Sequence, residues 1–134
     1  MNEQALNKEI SNIISFLQNI QSHYSHKPPS FKLNNIKESD LLKAIEEAFG
    51  KNYLEEVLNH LKCSDKILRD ETNISLDGLL IGLIAIWRLE KDLSFVKTQL
   101  EKLKGHLSKE ASDELNSNNW INSVFVYCKN NTIK

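Results

Sequence analysis

The chain has 134 residues, 40% of them apolar and 26% charged, with a formal net charge of −1. That length suits a single helical domain over residues 1–134, with a core that buries roughly 68% of the unfolded surface without metal or disulfide support. A balance so close to neutral offers no global field to nucleic acid or to an anionic membrane.

The first segment places Leu6, Ile10, Ile13, Leu17, Ile20 and Tyr24 at spacings that alternate between four and three. This is the seam of a long amphipathic helix, widened by Ile14 and Phe16. Pro28 and Pro29 cannot continue it, so residues 26–34 read as an extended connector. Leu41, Leu42, Ile45 and Phe49 form one face of a second helix. Asn35 with Glu38 suggests a capping box there, Ser39 is a competing N-cap, and Gly50 ends the helix. Leu54, Val57, Leu58 and Leu61 give the stripe of a third helix, opened by Asn52 and Glu55, and the tight junction at Gly50 makes the two an αα-hairpin. Residues 64–73 are polar apart from Ile67 and Leu68, and suit a short helical turn.

Leu79 to Trp87 is an almost unbroken apolar run, roughly half the ~18–20 residues that a bilayer-spanning helix requires. Asp77 precedes it, and Arg88, Glu90, Lys91 and Asp92 follow, which marks a core helix rather than a membrane span. The register Leu79, Gly82, Ile86, Leu89, Leu93, Val96, Leu100, Leu103, Leu107 then runs on without a break. It predicts one long helix over about 76–104, ended at Gly105. Such a helix would measure about 44 Å against a radius of gyration of ~14 Å, so it either protrudes or kinks near residues 88–94. Its first half is apolar all round, as a central helix is. Its second half has a narrow seam, as a peripheral or partner-pairing helix has.

Ser108 caps a short helix through Leu115, residues 116–119 turn, and Trp120 to Cys128 form the last apolar element. Ile121, Val124, Phe125 and Cys128 fit a helical stripe, and no other segment offers a strand partner. The fold class is all-α: a single-domain bundle of five or six helices with one long, kinked or protruding helix.

Chemistry is sparse. His23-x-x-His26 and His60-x-x-Cys63 have the spacing at which two helical turns each lend two ligands to a tetrahedral zinc. His26, however, adjoins Lys27 and Pro28 where a helix is ending, and Cys63 closes an apolar stripe, so no metal is assigned. With no leader sequence visible, Cys63 and Cys128 read as free thiols in a reducing cytoplasm. The chain carries no Gly-x-Ser-x-Gly, P-loop, Gly-x-Gly-x-x-Gly or His-Glu-x-x-His motif. Neighbours such as Glu46 and Glu47, or Glu55 and Glu56, point about 100° apart on a helix and make no acid–base dyad. No catalytic residue and no cofactor is assigned on these grounds. Gly78 and Gly82, one turn apart, invite the close approach of another helix, and the first helix is the expected neighbour.

Charge is more informative. Residues 38–56 hold six acids, Glu38, Asp40, Glu46, Glu47, Glu55 and Glu56, against two lysines. Such a hairpin suits a basic partner surface by steering and complementarity, and the bland alternative is the solvated face of two helices. Lys91, Lys97, Lys102 and Lys104 are interleaved with Glu90, Asp92 and Glu101, so no direct nucleic-acid stripe is read there. In general character, small, helical, free of catalytic motifs and locally acidic, the chain is similar to the helical immunity proteins that bacteria make against their own toxins. That likeness is one of composition and carries no residues across. It implies a non-enzymatic module that covers a basic toxin domain, with Glu46, Glu47, Glu55 and Glu56 as leading contacts. One alternative is an adaptor that dimerises through Leu93, Val96, Leu100, Leu103 and Leu107. Another is a small helical enzyme or metal-binding protein with dispersed site residues, the enzyme requiring a deep polar pocket.

Overall fold

The alternating seam of the first segment winds into α1, Glu3–Tyr24, and buries Leu6, Ile10, Ile13, Ile14 and Leu17. A computed structural model describes residues 3–24, 33–62, 69–70 and 73–131. Within them α2 is Glu38–Phe49, α3 Lys51–Lys62, α4 Leu76–Glu90, α5 Leu93–Gly105, α6 Lys109–Ser117 and α7 Asn119–Asn130. One hydrophobic core draws side chains from all seven. The class is all-α as expected, and the seventh helix arises because the long helix divides.

The centre of the core is α4, where every residue from Gly78 to Arg88 is buried. A helix apolar all round can only be stable with neighbours on all sides. Here α1 packs along it, with α3 and α5 also against it. No helix among the described residues is long and apolar enough to cross a membrane.

Three local expectations are corrected, and a fourth lies mostly outside the described residues. The single helix expected over about 76–104 is two helices, broken within the 88–94 window at Lys91, whose backbone is extended at φ −144° and ψ −179°. Asp92 then accepts a hydrogen bond from the Phe95 N–H at 3.1 Å, starting α5 as an N-cap. The hydrophobic period runs across this break because both helices turn their seams to the same core. The N-terminus of α2 has Lys37 in the cap position with no side-chain cap, rather than Asn35 or Ser39. The carboxylate of Glu114 on α6 instead accepts the backbone N–H groups of Asn34 and Asn35. The short turn expected over residues 64–73, with Ile67 and Leu68, lies mostly outside the described residues, of which Arg69–Asp70 (β1) and Asn73–Ile74 (β2) form a two-residue antiparallel ladder. Finally, the space above Gly82 is taken by Leu61 of α3, not by α1: a Cβ on Gly82 would lie 1.9 Å from Leu61 Cδ2.

Other local readings hold. Gly50 ends α2 with φ +93°, a conformation that L side chains rarely adopt, and its N–H closes the helix on the Glu46 carbonyl at 2.7 Å. Ser108 caps α6 by accepting from the Ala111 N–H at 3.2 Å. The last apolar element is a helix, capped by Asn118, which accepts from the Trp120 N–H.

Candidate functional site

The α2–α3 hairpin buries Leu41, Ala44 and Ile45 from one helix and Val57 and Leu61 from the other. With those stripes turned inward, the remaining positions face out, and Glu38, Asp40, Glu46, Glu47, Glu55 and Glu56 are all exposed. Compensation is slight. Glu47 Oε1 lies 4.0 Å from Lys43 Nζ, and Glu47 Oε2 lies 3.4 Å from His106 Nδ1 beyond the end of α5. Glu56 lies 3.7 Å from His60 Nε2. Glu38, Asp40, Glu46 and Glu55 make no ion pair among the described residues, so the face keeps its negative charge.

The hairpin is anchored by aromatic packing. The Phe49 ring centroid lies 5.1 Å from that of Tyr53 and 5.7 Å from that of Trp87, at tilted angles. The indole Nε1–H of Trp87, a side chain wholly buried, donates to Tyr53 Oη at 2.7 Å. Burial pushes the Tyr53 phenol up to about 12, and the charges of Glu90 and Glu56 add to this while the indole N–H opposes it. The phenol is therefore neutral at physiological pH and serves as an acceptor for Trp87.

The seam residues lie elsewhere than a partner would need them. Val96, Leu100 and Leu103 are buried in the chain's own core, and Leu93 and Leu107 are half-buried against it. Of the histidine–cysteine set, His23, His26 and Cys63 fall outside the residues whose side chains the structure describes. Among the described residues no three His, Cys, Asp or Glu side chains gather as metal donors.

A second site was not foreseen. Arg88 at the end of α4 and Glu9 on α1 meet inside the core, Nε to Oε1 at 2.6 Å, with side chains only 6% and 8% exposed. The contact is a close charge pair rather than a linear hydrogen bond. Arg88 Nη1 donates to the Cys128 carbonyl at 2.8 Å, and the guanidinium carbon sits 5.1 Å from the centroid of the Tyr127 ring. Tyr127 Oη reaches Glu9 Oε2 at 3.5 Å, and the Tyr127 ring packs on Phe16. Burial pushes the Glu9 carboxyl up further than the Arg88 charge and the Tyr127 hydroxyl draw it down. Burial likewise raises the Tyr127 phenol and the Cys128 thiol. A thiol held protonated in this way is a poor nucleophile.

Arg88 also lines a pocket of about 180 Å³, with Lys91, Asp92, Leu93 and Ser94 from the α4–α5 junction and Cys128 and Lys129 from α7. The pocket opens at the N-terminal end of α5, while Glu47 meets the far end, so the two sites are separated by about 20 Å of helix. The sequence did carry a signal for the second site. An arginine that closes a helix apolar all round has no solvated side to turn to, and a buried cation requires a carboxylate.

Compared with protein families, with curated proteins and with solved structures, the chain matches none.

Proposed function

We propose that the protein is a non-enzymatic binding module that covers a basic protein partner with the outer face of α2 and α3, in the manner of a toxin-neutralising immunity protein. The observation that carries this reading is the exposure of all six carboxylates on one hairpin, four of them without an ion pair among the described residues. An unpaired negative face of this kind speeds encounter with a positive surface and selects against acidic ones. The rigid aromatic anchor under the hairpin reduces the ordering cost of association. The partner class is a basic protein domain, and a toxin domain fits this chemistry.

The experiment is capture from source cells with the wild-type chain and with a variant carrying Glu46→Lys, Glu47→Lys, Glu55→Lys and Glu56→Lys. The wild type should retain a basic protein that high salt elutes and that the variant fails to retain. Equal retention of that protein by both chains would overturn the assignment. The dimerising adaptor is not favoured by any observation, because its seam is occupied by the core.

A further inference from the structure

We propose that the pocket at the α4–α5 junction binds a phosphate group, free or as a phosphomonoester. Three cations, Arg88, Lys91 and Lys129, stand in its wall against one carboxylate, Asp92. Asp92 Oδ1 is turned onto the Phe95 N–H, and Glu9 balances Arg88 from the core side, so the pocket itself remains net positive. Arg88 is the decisive group. It is buried, yet its Nη2 donates to no acceptor among the described residues, while Nη1 is held by the Cys128 carbonyl and Nε faces Glu9. A guanidinium fixed on two sides within the lining of a pocket is preorganised for an oxyanion.

The backbone supplies further donors. Asp92 occupies the N–H groups of Phe95 and Val96, through its side chain and its carbonyl. The N–H groups of Leu93 and Ser94, in the first turn of α5, have no partner among the described residues, and both residues line the pocket. Donors thus come from the end of α4, the start of α5 and the end of α7, an arrangement that suits an anion with three free oxygens better than a planar carboxylate. The volume sets the scale. About 180 Å³ is below the roughly 300–1,000 Å³ of sites for drug-sized ligands, which suits a phosphate with a small substituent.

The test is a titration of the isotope-labelled full chain with inorganic phosphate and, separately, with glycerol phosphate at constant ionic strength, followed by amide shifts. The Leu93 and Ser94 amides should move and saturate. Lys91→Ala with Lys129→Ala, both exposed positions outside the core, should weaken binding roughly tenfold without changing the melting temperature. Tighter binding of glycerol phosphate would name the ester as the ligand, and equal or tighter binding of inorganic phosphate would name the free ion. Absence of a saturable shift at Leu93 and Ser94 with either probe would overturn the proposal, as would unchanged affinity in the double variant.

Discussion

Glu9 and Arg88 hold each other inside the core, and the energetics of the pair depend on keeping both. Arg88→Ala leaves a carboxylate buried without its cation, and should cost about 3–5 kcal/mol in urea denaturation. Glu9→Leu combined with Arg88→Met leaves no charge behind and should cost far less; equal losses would mean that the pair is not what the core is organised around. Glu9 also makes stability depend on pH. Its folded value lies above that of the unfolded chain because burial outweighs Arg88, so the folded state binds this proton more tightly. The stability it contributes is then fully present below the ordinary glutamate value of about 4.3, and is lost as pH rises toward the higher folded value. Glu9→Gln removes the titration, so the stability of the wild type relative to this variant should fall across that window. A flat or rising difference would contradict the stated direction. The sequence signal at Arg88 is easily missed and names no partner. Glu9 stands beside Ile10 in a seam where a surface charge is equally natural, and Arg88 looks like the polar flank of an apolar run.

Elements were more legible than the joints between them. The seams of α1, α2, α3 and α7 are set by periodic apolar residues, and burial follows them closely, from Leu6 to Leu17 and from Ile121 to Cys128. The break between α4 and α5 did not show in the period, because Leu89, Leu93 and Val96 keep step across it. It is written instead in Asp92, whose side chain competes for the backbone donors of the next turn. Gly82 gives a direct test of how closely α3 approaches α4. Alanine there would gain about 1 kcal/mol in helix propensity. Its Cβ, however, would meet Leu61 Cδ2 at 1.9 Å, inside a core where Leu61 is itself fully buried. Overpacking costs about 1–3 kcal/mol, so Gly82→Ala should destabilise the protein on balance, and pairing it with Leu61→Ala should show strong coupling. A stabilised single variant would mean that Leu61 re-seats freely.

At the scale of the whole molecule, one core ties the seven described helices together, with an acidic hairpin face and a small basic pocket near opposite ends of α5. The acidic face was legible because six carboxylates within residues 38–56 outnumber the lysines, and helical stripes dictate which side they occupy. The pocket was not, since it draws Arg88, Lys91 and Lys129 together from segments that only tertiary packing brings near. The central claim is that the acidic face recruits a basic partner. Its most direct test is the association rate of the captured partner with the wild type and with the variant reversed at Glu46, Glu47, Glu55 and Glu56, measured as ionic strength is raised. The wild-type rate should fall steeply with salt, and the variant should associate at least roughly tenfold more slowly at low salt with its melting temperature kept. Equal, salt-independent rates for the two chains would contradict the account.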